Sequence, residues 1–138
     1  MEQHRFEMRL FCDYADENSI ASLKVEHLDG NEWNSLDLDT QTAGFLIFTY
    51  AIFTCQHMFL RANANERNLQ MASSTGSIMI DATADWKIEK LHVAFEATLK
   101  SGTPAPDDID YITARMQQCP VSKNLGEIPD TQTRLLFA

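Results

Sequence analysis

Polar and apolar residues alternate from the start of the chain. Phe6, Met8, Leu10 and Cys12 alternate with Arg5, Glu7, Arg9 and Phe11, the period of two that marks a half-buried strand. Asp13 to Ser19 reads as a polar turn. Ala21, Leu23 and Val25, set against Ser22, Lys24 and Glu26, give a second strand. Asp29-Gly30-Asn31 is a hairpin-type turn, and Trp33 to Leu38 supplies a third strand.

The pattern then changes period. From Gly44 to about Ala64, Phe45, Phe48, Ile52, Cys55, Phe59 and Ala62 fall on one helical stripe, while Leu46, Ile47, Tyr50 and Phe53 cover its flanks. A helix this apolar must be enclosed by the sheet and something else, such as a partner subunit. The polar stretch Asn63 to Asn68 should end it. Its longest apolar run, Ala43 to Phe53, broken by Thr49, is shorter than the roughly 20 residues of a membrane span. Ile78, Ile80 and Ala82 alternate with Met79, Asp81 and Thr83 in a fourth strand, and Leu91, Val93, Phe95, Ala97 and Leu99 alternate with His92, Ala94, Glu96 and Thr98 in a fifth. After Ser101-Gly102-Thr103-Pro104-Ala105-Pro106, the acidic residues Asp107, Asp108 and Asp110 suit the first turn of a second helix. Arg134 to Phe137 can add an edge strand. The order predicts a single α+β domain over residues 1–138, with a mainly antiparallel sheet wrapped on two helices and the central helix buried.

Composition narrows the function classes. At 44% apolar and 22% charged residues, the chain has an ordinary globular make-up. Its formal net charge of -9, without any basic run, argues against nucleic acid and against an anionic membrane. Met1-Glu2-Gln3-His4-Arg5 lacks the charged and apolar regions of a signal peptide, so a cytoplasmic location is expected. Three cysteines do not make a disulfide scaffold, and in a reducing compartment a disulfide would be transient and catalytic. His4, His27, His57 and His92 show no metal-ligand spacing, and no Gly-rich phosphate loop or nucleophile elbow occurs.

The chemistry therefore rests on the cysteines. Ile109, Ile112, Met116 and Cys119 recur at helical spacing, which turns the Cys119 sulfur toward the core. Pro120 breaks the helix at Cys119 and suits the first position of a new one, which would run from Pro120 to about Leu125 and end at Gly126. Free N–H groups at such a start favour a thiolate. Cys55 lies on the apolar stripe of the first helix, and the two sulfurs can meet if the helices pack side by side. Two unrelated core cysteines fit the same periodicity.

The helix segment Cys55-Gln56-His57-Met58-Phe59-Leu60-Arg61-Ala62, the motif Cys119-Pro120-Val121-Ser122 and the order of strands resemble the OsmC/Ohr family of stress-induced proteins. The resemblance spans most of the chain, with Cys-Pro-Val-Ser as its specific motif. It implies an intertwined homodimer with the central helices in a shared core. It also implies thiol-dependent reduction of organic hydroperoxides or hydrogen peroxide without a metal or other cofactor. Cys55 would be the peroxidatic thiolate and Cys119 the resolving thiol, with a small apolar peroxide as substrate and an external dithiol as reductant. Phe45, Phe48, Tyr50 and Phe59 are available to line an apolar pocket.

The chain departs from that family at one point. Active members place an arginine from an early loop and a glutamate near the start of the buried helix beside the first cysteine. Here Asp13-Tyr14-Ala15-Asp16-Glu17-Asn18 holds no arginine and Thr42-Ala43-Gly44-Phe45-Leu46 no carboxylate. Arg5 and Arg9 fall on the polar face of the first strand, and Cys12 falls on its apolar face as a core residue. His57, about 200° around the helix from Cys55, is not an obvious base for its own chain's thiol and reads as a hydrogen-bonded surface or core histidine, the alternative being approach to the other subunit's site across a dimer axis. A second reading stays open beside the first: a catalytically weak or inactive dimer whose aromatic interface binds a small apolar ligand, the cysteines being structural.

Overall fold

In the computed structural model, which describes residues 3–138, the alternating segments pair into one six-stranded sheet. Met1 and Glu2, part of the terminus read above, lie outside the described residues. The elements are β1 (His4–Tyr14), β2 (Ile20–Asp29), β3 (Glu32–Ser35), α1 (Gly44–Glu66), β4 (Gln70–Ala82), β5 (Ile88–Ser101), α2 (Pro106–Gln117) and β6 (Asp130–Phe137). The strand order is β3-β2-β1-β4-β5-β6. Every neighbouring pair is antiparallel except β5 with β6, which is parallel because α2 and the turn after it carry the chain back across the sheet. The expected α+β fold with two helices is the one observed.

One face of the sheet makes the core. Met8, Leu10 and Cys12 of β1, Ile78 and Ile80 of β4, and Leu91, Val93, Phe95 and Ala97 of β5 point at the helices. They meet Ile52, Phe53 and Leu60 of α1 and Ile112 and Met116 of α2. The opposite face is polar and laced with ion pairs, Arg5 with Asp81 at 2.6 Å and Arg9 with Glu26 at 2.7 Å. This alternation sets the register, since a slip by one residue would bury those charges. The Asp29-Gly30-Asn31 hairpin forms as expected, with Gly30 at φ 64°.

Three expectations need correcting. The first concerns the face of α1. Its buried residues include Thr49, Ile52, Phe53, Cys55, Gln56, His57, Leu60, Asn63 and Ala64, whereas Ala62 is exposed and Phe45, Phe48 and Phe59 are half-buried. With apolar residues on nearly every side, hydrophobicity does not single out the face that meets the sheet. Enclosure by this chain is also incomplete, because Met58 is 54% and Ile47 40% exposed. The second concerns β4, which starts at Gln70 rather than near Ile78. Its first half, Ala72-Ser73-Ser74-Thr75-Gly76-Ser77, carries little hydrophobic signal. It forms because β1 and β5 pair with it on both sides, and because Gly76 leaves room for the Phe95 ring, which would lie 2.5 Å from a Cβ there. The third concerns only the bounds of the polar turn, which starts after Tyr14 rather than at Asp13 and holds a short 3-10 segment, Asp16–Asn18, with Glu17 and Asn18 both at positive φ.

Among the described residues, α1 is the one helix long and apolar enough to cross a membrane. It is instead built into the core through polar side chains. Gln56 is bonded to Thr133 of β6, His57 to Tyr14 of β1, and Asn63 to Arg115 of α2. α2 opens with Pro106 at its first turn, and the Asp108 carboxylate accepts the Ala105 N–H at 2.9 Å.

Candidate functional site

α1 and α2 pack side by side, and the chain leaves α2 through Gln118-Cys119-Pro120-Val121 into the 3-10 turn Ser122–Asn124. The predicted helix from Pro120 to Leu125 is thus reduced to this turn. Its opening geometry survives, because the Cys119 sulfur accepts the Ser122 N–H at 3.4 Å and so caps the turn as a serine or aspartate would. Cys119 is fully buried and Cys55 almost so, and both are free thiols. The two thiols lie near enough for Cys119 to act on the ionisation of Cys55, as does the Val121 N–H. The helices do pack side by side, the condition on which a meeting of the two sulfurs depended.

Burial pushes the Cys55 thiol above its ordinary value, the contact with Cys119 pushes the same way, and the Val121 N–H pulls it back. No cation is among the groups that act on it. The arginine closest in sequence, Arg61, serves a different cluster: its charge acts on Cys12, Tyr14 and His57 on the sheet side of α1. There the Tyr14 hydroxyl lies 2.7 Å from His57 Nε2 and 2.5 Å from Ser74 Oγ, and the His57 ring stacks on Phe95 at 5.4 Å. His57 faces the sheet, away from its neighbour Cys55.

That placement has a consequence for acid stability. Burial, reinforced by Arg61, lowers the His57 pKa to about 4. Between about pH 6.5, the unfolded value, and pH 4 the unfolded chain binds a proton on this side chain that the folded chain refuses. Stability from this residue is therefore complete above pH 6.5 and falls by about 1.4 kcal/mol per unit below it. The paired carboxylates Asp81 and Asp130, whose pKa values are lowered by Arg5 and His92, act only at lower pH. Urea titrations at pH 7 and pH 5 should show the loss in the native chain and a flatter dependence in His57→Gln.

A cavity of about 310 Å³ opens at Gln56 and Ser122, and neither Cys55 nor Cys119 lines it. Gln56, Gln117, Ser122 and Thr131 supply its polar groups and Leu91, Leu125 and Ile128 its apolar wall. None of the four aromatic residues expected there lines it. Tyr50 instead faces an apolar groove with Leu23, Val25, Leu36 and Leu38, and Phe45 stacks with Phe48, Phe6 and Trp86 at the far end of α1. Sequence reasoning missed Gln56. This buried side chain accepts a hydrogen bond from Thr133 Oγ1 and donates one to Ser122 Oγ, each at 3.1 Å. The signal was present, since a glutamine inside so apolar a helix has to find partners. No group of three His, Cys, Asp or Glu side chains able to hold a metal occurs among the described residues.

Comparison with solved structures places this architecture. An OsmC-like hydroperoxide resistance protein from Jannaschia sp. CCS1 superposes with a TM-score of 0.59 at 12% identity, covering 89% of this chain and 87% of that one. An OsmC-like protein from Mycoplasma pneumoniae gives 0.53 at 8% identity, with 94% of each chain covered. An OsmC-like protein of unknown function from Vibrio cholerae gives 0.51 at 9% identity, covering 100% of this chain and 99% of that one. The fold is the OsmC-like fold over most of the chain. No family model matches the sequence, and no curated protein matches it.

Proposed function

We propose that this chain is a cysteine-based peroxidase of the OsmC/Ohr type, reducing organic hydroperoxides or hydrogen peroxide through Cys55 and Cys119. What supports the reading is the nearness of Cys55, in the middle of α1, to Cys119, just after α2, near enough for one thiol to act on the ionisation of the other. The fold shared with a hydroperoxide resistance protein supports it. Cys55, the less deeply buried of the two, attacks the outer peroxide oxygen and becomes a sulfenic acid, and Cys119 condenses with it to a disulfide. An external dithiol restores the pair. The working form is a cytoplasmic homodimer. The uncovered side of α1, with Ile47 and Met58 exposed beside the apolar groove at Tyr50, is the surface a second copy would cover.

The alternative is a weakly active or inactive dimer that holds a small apolar ligand, its cysteines being structural. Burial of Cys55 without a cation favours it. One experiment separates the two. The reduced protein, run as a dimer on a sizing column, is treated with one equivalent of cumene hydroperoxide, and its peptides are mapped. A Cys55–Cys119 disulfide that a dithiol reverses is expected, and two free thiols after treatment would overturn the peroxidase reading.

A further inference from the structure

The hydrogen bonds around Cys119 have a direction. Thr133 Oγ1 donates to Gln56 Oε1 at 3.1 Å, and Gln56 Nε2 donates to Ser122 Oγ, also at 3.1 Å. Ser122 Oγ lies 3.1 Å from the Cys119 sulfur. With a lone pair taken by Gln56, the hydroxyl is left with its hydrogen for that sulfur when it is a thiolate, and accepts from it when it is a thiol. The Ser122 N–H adds a second donor at 3.4 Å. Cys55 receives the single N–H of Val121. The donors therefore converge on Cys119, and α1, the turn and β6 each supply a link.

We propose that Thr133, Gln56 and Ser122 form a one-way donor chain that holds Cys119 as a thiolate, and that this thiolate is the base that ionises Cys55. The inference rests on the peroxidase reading for its second half only. In it, Cys119 does what a nearby cation would otherwise do, by taking the proton rather than stabilising the charge.

The steps balance. The Cys55 S–H bond breaks and its proton moves to the Cys119 sulfur, the neighbouring thiol that acts on it. The Cys55 thiolate forms a bond to the outer oxygen of the hydroperoxide as the O–O bond breaks. The departing alkoxide takes the proton back from Cys119 and leaves as alcohol. Cys55 is now a sulfenic acid, oxidised by the two electrons the peroxide gained. Cys119, again a thiolate, attacks the Cys55 sulfur, the S–O bond breaks, and hydroxide leaves to be protonated by solvent.

The groups that act on the two sulfurs are Val121 and Ser122 of the turn, with Gln56 of α1 and Thr133 of β6 behind Ser122, none of them charged. Hydrogen-bond donors are thus what remains to hold a negative charge. Gln56 and Ser122 are positioning residues, acting on substrate only through Cys119.

Iodoacetamide labelling across a pH series, with Cys12, Cys55 and Cys119 resolved by peptide mass spectrometry, reads the first half without any peroxide. Cys119 should label at lower pH than Cys55. Ser122→Ala should slow Cys119 labelling at pH 7 about tenfold and move its profile to higher pH, as expected for losing one hydrogen bond to a charged group. Ser122→Thr, which keeps the hydroxyl, should restore both. Gln56→Leu should act in the same direction to a smaller degree, and the Ser122 pair carries the test if that variant does not fold. Unchanged or faster Cys119 labelling in Ser122→Ala overturns the donor chain. For the second half, single-turnover oxidation of Cys55 by cumene hydroperoxide should be about 100-fold slower in Cys119→Ser than in the native chain. An equal rate overturns the base role. If the native chain is not oxidised at all, the peroxidase reading fails with that half, while the labelling result stands by itself.

Discussion

Cys55→Ser should consume cumene hydroperoxide no faster than buffer, a loss of at least about 100-fold in dithiol-dependent turnover. A serine hydroxyl cannot ionise at neutral pH in a site without a cation, and oxygen does not pass through a sulfenic acid, so neither half of the cycle remains. Cys119→Ser should separate the halves. Its Cys55 is still oxidised once, slowly, and a sulfenic-acid probe traps it because no second thiol lies in contact. Steady turnover with a dithiol then fails for lack of the internal disulfide. Cys12→Ser is the control, since Cys12 sits with Tyr14 on the sheet side of α1, and its turnover should match the native chain. Turnover retained in Cys55→Ser would move the chemistry away from this site altogether.

The parts of this arrangement that could be read from sequence share a property, and so do the parts that could not. β1, β5 and α2 have one face in the core and one in water, so their side chains record which way they point. Ile112, Met116 and Cys119 are all fully buried, as their spacing required. α1 carries no such record, being apolar on nearly every side, and its sheet-facing residues emerge only when the sheet is present. The serine-rich half of β4 is silent for the opposite reason, too polar to announce burial that its two neighbouring strands impose. The inward direction of Cys55 and Cys119 was legible because both fall on apolar stripes, and both are buried. The chain from Thr133 through Gln56 to Ser122 was not, because it joins residues from three elements by hydrogen bonds, and sequence spacing carries no information about such contacts.

Asn18→Ala should cost about 3 kcal/mol of folding stability, read as a lower urea midpoint at unchanged slope. The turn after β1 looks dispensable by composition, yet Asn18 is fully buried. Its Nδ2 donates to the Leu69 carbonyl at 2.9 Å and to the Arg61 carbonyl at 3.3 Å, and its Oδ1 accepts the Met71 N–H at 2.7 Å. One side chain thus satisfies backbone groups from the last turns of α1 and the start of β4. Alanine leaves the buried Met71 N–H without an acceptor, at about 1–3 kcal/mol, and deprives both carbonyls of a donor. Asn18 also holds φ 57°, a conformation asparagine tolerates and alanine pays about 1–2 kcal/mol to adopt. Asn18→Gly separates the two contributions, because glycine removes the conformational cost and keeps the hydrogen-bond loss. It should therefore be about 1 kcal/mol more stable than Asn18→Ala and still well below the native chain. A native-like midpoint for Asn18→Gly would mean that the three hydrogen bonds contribute nothing. Equal midpoints for the two variants would mean that backbone strain at this position is not what asparagine relieves.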